Sequence, residues 1–180
     1  MEESLAGKGV LITGGSMGIG LAVARACLDA GARVMLNSRH REDLENAAAG
    51  LGGPAAGVEF CEADVSVPQQ VERLLDHAQG RLERLDAVVH AAGVYGPIGP
   101  VLDTDPDEWF EAIRNNLFGS VLVARGACRR MRDSGGGKIV LFSGGGAAAA
   151  FPNFTAYACG KAAVVRFAET LALEVAPFGI

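Results

Sequence analysis

The sequence predicts an α/β fold, a doubly wound parallel sheet forming a single domain over residues 1–180, on three observations. Short apolar runs alternate with segments of helical periodicity along the whole chain. That order implies strand–helix–strand units with right-handed crossovers and helices on both faces. The apolar runs lack polar alternation, as strands covered on both faces require. A glycine-rich turn, Thr13-Gly14-Gly15-Ser16-Met17-Gly18-Ile19-Gly20, joins the first run to the first helix.

Taken in order, Val10–Thr13 reads as strand one and Gly18–Ala30 as a helix ended by Gly31. Arg33–Asn37 is strand two. Arg41–Ala49 is a short helix, closed by Gly50 and the Gly52-Gly53-Pro54 loop. Val58–Glu62 is strand three. Ser66-Val67-Pro68-Gln69 has the form of a capping box, with Ser66 capping and Gln69 reaching back, and opens a helix to about Gln79. Ala87–His90 is strand four. Asp105-Pro106 starts the next helix, with proline at its favoured first position. The periodicity of that helix turns Trp109, Ile113, Leu117 and Val121 inward. Lys138–Phe142 is strand five. The last helix spans about Thr155–Val175 and stops at Pro177.

Composition removes several function classes. Nearly half of the 180 residues are hydrophobic, which excludes a disordered chain. The net charge of −5, with no basic run, argues against nucleic acid as a partner. Cys27, Cys61, Cys128 and Cys159 form no C-x-x-C pair and lie far from the histidines, so neither a disulfide framework nor a metal site is expected. The acidic start Met1-Glu2-Glu3-Ser4 precedes no long apolar region, which predicts no signal peptide, no membrane span and a cytoplasmic protein.

In such a sheet, ligands bind beyond the carboxyl ends of the strands, where strand order reverses. The residues that follow each strand should therefore meet in one crevice. They are the glycine loop, Ser38-Arg39, Asp64-Val65, Ala91-Ala92-Gly93 and Ser143-Gly144. Glycines allow a sharp bend and close approach of a phosphate, and the helix start offers free N–H groups and the positive end of a dipole. Gly14, Ser16, Met17, Gly18, Ile19 and Gly20 are thus expected to cradle the pyrophosphate of a dinucleotide.

Tyr157 and Lys161 stand four apart at the start of the last helix and share a face. An ammonium near a phenol favours the phenolate, which suits exchange of a proton with a carbonyl or alcohol oxygen. With Tyr157-Ala158-Cys159-Gly160-Lys161 and the glycine loop together, the chain resembles the short-chain dehydrogenase/reductase family from about Lys8 onward. The resemblance implies a Rossmann-type fold and hydride exchange between a nicotinamide cofactor and a small carbonyl or alcohol. It implies that Asp64 and Val65 contact adenine and that Ala91, Ala92 and Gly93 line the cofactor. It also implies that Asn116, in Asn115-Asn116-Leu117-Phe118-Gly119, binds a water linked to Lys161, and that the protein pairs through its long helices as a homodimer or homotetramer.

Two residues depart from the family pattern. His90 replaces an asparagine at the end of strand four. The family serine stands thirteen residues before the tyrosine, which here is Gly144. Ser143 is one step earlier, and strand alternation points it to the other face. A bend in Gly144-Gly145-Gly146 would bring its hydroxyl to the substrate; otherwise it bonds nearby backbone. At the end of strand two, Ser38-Arg39 stands where NAD-preferring relatives carry an aspartate. An arginine suits a 2′-phosphate, so NADP is the expected cofactor and NAD the alternative. The sequence ends at Ile180, before the sixth strand and the final strands that the resemblance implies, as either a fragment or a truncated product. A nucleotide-binding or structural homologue without turnover is the alternative reading of Gly144 and of that ending.

Overall fold

The computed structural model describes residues 4–180; the acidic start Met1-Glu2-Glu3 lies outside them. Five parallel strands form one sheet in the order β3-β2-β1-β4-β5. They are β1 (Gly9–Thr13), β2 (Arg33–Ser38), β3 (Val58–Glu62), β4 (Ala87–His90) and β5 (Lys138–Leu141). The helices are α1 (Gly18–Asp29), α2 (Arg41–Gly50), α3 (Pro68–Leu82), α4 (Pro106–Ile113), α5 (Gly119–Asp133) and α6 (Thr155–Val175). Strand order reverses between β1 and β4, so the crevice of a doubly wound sheet opens above these two strands.

Alternation along β1 builds both halves of the core. Leu11 joins Met35 and Val88 beneath α3 and α5, against Val71, Leu74, Leu75 and Val123. Val10 and Ile12 join Val34, Leu36 and Val89 on the other face, against Ala24, Leu44 and Ala47. Both faces of the central strands β1, β2 and β4 are therefore packed, whereas the edge strand β5 stays partly exposed, with Val140 48 % accessible. Each fully buried Leu or Ile contributes about 1.5–3 kcal/mol to the stability of the fold.

Two local expectations fail. Ser66 does not cap α3, whose first position is Pro68 and whose N-cap is Val67, without a side-chain bond. The Ser66 hydroxyl donates instead to Asp64 Oδ1 (2.7 Å), and Gln70, not Gln69, accepts from the Asp64 N–H (2.8 Å). Asp64 captures Ser66 two residues on, as an Asx turn does, so the polar groups fasten the loop rather than the helix. Nor do Trp109, Ile113, Leu117 and Val121 face the core: all four are half-buried. The buried face carries Val123 and Met131 but is otherwise mostly small: Ala112, Asn116, Gly119, Ser120, Ala124 and Ala127. Small residues let this helix approach its neighbours closely, and the larger side chains fall on its flank. There the Trp109 indole N–H donates to Thr155 Oγ1 (3.0 Å), joining α4 to α6.

The helix that starts at Pro106 runs to Asp133 but widens to a π turn at Arg114–Phe118, between α4 and α5. Asn116 lies inside that turn and is fully buried. The Ser120 hydroxyl donates to the Asn116 carbonyl oxygen (2.6 Å), supplying a donor within the widened turn. Such turns are frequent at functional sites.

Candidate active site

The carboxyl ends of the strands frame a cleft of about 620 Å³, within the range of small-molecule and cofactor sites. The glycine loop forms its floor. Gly14 has φ +65°, and a side chain there would collide with the backbone of Ala91 and Ala92. At Gly20 a Cβ would run into the Gly14 carbonyl oxygen. Both glycines are therefore demanded by backbone-to-backbone approach. Helix α1 starts here with Met17 as N-cap, no side-chain cap and no acidic residue in its first turn. Its first N–H groups and dipole are left for a ligand, which fits a pyrophosphate.

Gly14, Ser16, Met17, Gly18, Ile19, Gly20, Ser38, Arg39, Val65, Ala91, Ala92, Gly93, Ser143, Tyr157 and Lys161 all line this cleft. Asp64 does not. Its carboxylate accepts the Ser66 N–H (2.8 Å) and hydroxyl, and it lines an adjoining hollow with Arg39. Arg39 is exposed and has no ion-pair partner among the described residues. Ser143 reaches the cleft because β5 ends at Leu141, so strand alternation no longer governs its direction.

Lys161 is 7 % exposed, unusual for a lysine, and its ammonium donates to the Phe142 carbonyl (2.9 Å). Burial lowers its pKa from the ordinary lysine value. The same ammonium lies 5.9 Å from the centroid of the Tyr157 ring. Asn116 is absent from the cleft wall. Its amide nitrogen donates to the Val94 carbonyl (2.7 Å) and its Oδ1 accepts the Val94 N–H (2.9 Å). The side chain expected to carry a water is thus engaged on the loop that follows β4. A Cβ on Gly93 would touch both Asn116 Oδ1 and the Lys161 ammonium, so these two groups press on the loop from α5's side and from α6.

His90 is 2 % exposed, and its Nδ1 lies 2.7 Å from Thr13 Oγ1. Burial, helped by the nearby Lys161 charge, pushes its pKa down to about 3. The ring is therefore neutral, and Nε2 is buried without a partner among the described residues.

Several residues of the cleft were not singled out by sequence. Buried Asn37 donates to the Cys61 and Ala63 carbonyls (3.0 Å each), which joins β2 to β3 just below the cleft. Tyr95 and Phe142 stand in its wall. Position was the available signal: Asn37 ends a strand, and Tyr95 follows the small Ala91-Ala92-Gly93 segment by two residues.

Among the described residues, no helix is long and apolar enough to cross a membrane, and no group of three His, Cys, Asp or Glu is placed to hold a metal. The four cysteines are unpaired.

Comparison with known proteins agrees with this geometry. The family model described as short chain dehydrogenase matches residues 8–180. The chain is 33% identical to an NADPH-dependent aldehyde reductase-like protein of Arabidopsis thaliana, over 98% of this chain and 70% of that one. It is 30% identical to human dehydrogenase/reductase SDR family member 4, over 99% of this chain and 64% of that one. Among solved structures, a short-chain type dehydrogenase/reductase from Mycobacterium ulcerans superposes with a TM-score of 0.93 at 31% identity, covering 98% of this chain and 65% of that one. An NAD+-bound xylitol dehydrogenase gives 0.93 at 30% identity, covering 99% and 68%. The chain thus spans about two thirds of the length of these relatives. A glycine cradle under an uncapped helix, a Tyr–Lys pair on the facing helix and a match over nearly the whole sequence agree: this chain belongs to the short-chain dehydrogenase/reductase family.

Proposed function

We propose that the protein is an NADP(H)-dependent oxidoreductase that interconverts a carbonyl and an alcohol. The observation that carries this reading is the cleft itself, which brings the uncapped α1 glycine loop and the Tyr157–Lys161 pair to one place. The residues fit a nicotinamide dinucleotide. Gly14, Ser16, Met17, Gly18, Ile19 and Gly20 would hold its pyrophosphate, and Ser38, Arg39, Asp64 and Val65 its adenosine end. Ala91, Ala92 and Gly93 would lie along it. When bound, such a cofactor supplies or accepts hydride.

Tyr157 gives a proton to the substrate oxygen in reduction and takes it back in oxidation. Lys161 holds its ammonium 5.9 Å from the centre of the phenol ring and would hold the cofactor ribose. Asn116 holds the Val94 loop beside Lys161, and Ser143 orients the substrate oxygen. Arg39, free of any carboxylate partner among the described residues, offers paired N–H donors to a 2′-phosphate, which supports NADP over NAD. Unpaired cysteines support a reducing compartment such as the cytoplasm. Exposed Phe110 and Phe118 on the α4–α5 helix, and Val165 and Leu173 on α6, support pairing between copies of the chain.

Tyr157→Phe tests the reading. It should lower kcat by roughly 10²–10⁴-fold with a carbonyl substrate while cofactor binding persists. Turnover equal to wild type would remove Tyr157 from the proton step. One observation favours a second reading, nucleotide binding without turnover: Gly144 presents no hydroxyl where the family carries serine. Cofactor binding without reduction across a broad carbonyl panel would favour it.

A further inference from the structure

We infer that the substrate is an uncharged, flat aromatic carbonyl compound, held between rings at the Tyr157 end of the cleft. The inference rests on the oxidoreductase reading. Rings gather around Tyr157 on the side away from Lys161 and Ser143. Its ring lies 5.1 Å from that of Tyr95 and 6.4 Å from that of Phe151. Phe154 completes the group, 5.7 Å from Tyr95 and stacked on Phe151 at 4.6 Å. Tyr95, in the cleft wall, is 58 % exposed, and Phe151 beside it is 41 % exposed, so ring surface remains open to a ligand.

The segments that carry these rings hold no charged side chain: neither Ala91–Leu102 nor Ser143–Gly160 contains an Asp, Glu, Lys or Arg. They are fastened to each other, since the Gly99 N–H donates to the Asn153 carbonyl (2.9 Å). Their polar side chains are few, and one of them, Thr155, already accepts from Trp109. The one charged group at this end, Lys161, is 7 % exposed and already donates to the Phe142 carbonyl, whereas the exposed Arg39 and the half-buried Asp43 stand at the other end of the cleft.

Offset and edge-to-face contacts with a flat ring suit such a wall. The Tyr157 and Ser143 hydroxyls serve one oxygen, so the further hydroxyls of a polyol, or a carboxylate set against the rings, would lose water and gain few partners in return. In reduction the carbonyl carbon gains hydride and the oxygen gains the proton that Tyr157 gives up. The C=O becomes CH–OH and the reduced dinucleotide is oxidised, so atoms and electrons balance.

The test uses the full chain with NADPH and three probes: 1-tetralone, the charged aryl ketone phenylglyoxylate, and the ketose erythrulose. Calorimetry of 1-tetralone with protein and NADP+ gives a readout independent of turnover. We expect kcat/KM for 1-tetralone to exceed that of the other two by about tenfold or more. Tyr95→Ala and Phe151→Ala should each weaken 1-tetralone binding several-fold and leave the dinucleotide Kd unchanged. Equal or better reduction of erythrulose or phenylglyoxylate would overturn the substrate class and leave the oxidoreductase reading intact. The same holds if both variants treat 1-tetralone as wild type does. If no ketone is reduced, the oxidoreductase reading fails, and calorimetry then decides alone: binding lost in Tyr95→Ala keeps the aromatic site, and no binding removes it.

Discussion

The hydroxyl of Tyr157 occupies the space into which a side chain on Gly144 would project. A Cβ on Gly144 would also lie about 3 Å from the phenol's ring carbons, closer than side chains tolerate. Gly144 has extended backbone, φ −162°, that any residue adopts, so the glycine answers a need for room rather than for a special conformation. Gly144→Ala should therefore fold normally and displace the phenol by roughly 1 Å, a shift that costs about 10²-fold in rate. Steady-state kinetics should show the loss in kcat, with cofactor affinity by fluorescence titration within twofold of wild type. Unaltered kcat would mean that the phenol adopts another position during turnover.

Arg39 lies at the rim of the cleft without a carboxylate partner among the described residues. Replacing it with aspartate removes the fork proposed to hold a 2′-phosphate and adds a repulsion. Arg39→Asp should weaken NADPH by about 10–100-fold, the scale of one or two hydrogen bonds to a charged group. Affinity for NADH should hold or improve. Titration of both dinucleotides against both proteins measures this, and parallel losses would take Arg39 out of cofactor choice.

Gly20 has no room for a methyl group, because its Cβ would press on the Gly14 carbonyl. Gly20→Ala must push the loop away from α1. Dinucleotide affinity should fall by at least about tenfold, because the free N–H groups no longer aim at the phosphates. Thermal stability in the absence of cofactor should drop by about 1–3 kcal/mol, the ordinary cost of overpacking. Differential scanning calorimetry with and without NADP+ separates the two effects.

His90 makes the protein acid-sensitive. Its folded pKa of about 3 lies below the ordinary histidine value of 6.5, so folding favours the neutral ring. That stabilisation is complete above pH 6.5 and drains as pH falls toward 3, at up to about 1.4 kcal/mol per pH unit. Between pH 7 and pH 5, wild type should lose about 2 kcal/mol more than His90→Asn, whose side chain does not titrate. Urea unfolding of both proteins at the two pH values tests the difference, and equal losses would place the acid-sensitive group elsewhere.

How much of this was legible in the sequence depended on range. Strands three and four and helix α6 were placed to the residue, because apolar runs and Gly or Pro breaks are local signals. The glycine cradle was legible for the same reason. Ser66 was misread because two partners, Asp64 and the helix start, compete for one hydroxyl, and only the fold decides between them. The inward face of α4 and α5 was misread because mostly small residues, with Val123 and Met131, meet the neighbouring elements. Asn116 was found by motif, yet its attachment to Val94 joins residues 22 apart and could not be seen from spacing. The ring cluster around Tyr157 escaped notice because Tyr95 comes from a different loop than Phe151 and Phe154.

The π turn at Arg114–Phe118 sets helical regularity against aim. Removing one residue there would let the backbone relax into an uninterrupted α-helix with better hydrogen bonds, and would swing Asn116 by about 100° away from Val94. The shortened chain would gain local order and release the strand-four loop, so at this one turn a sturdier helix makes a looser cleft.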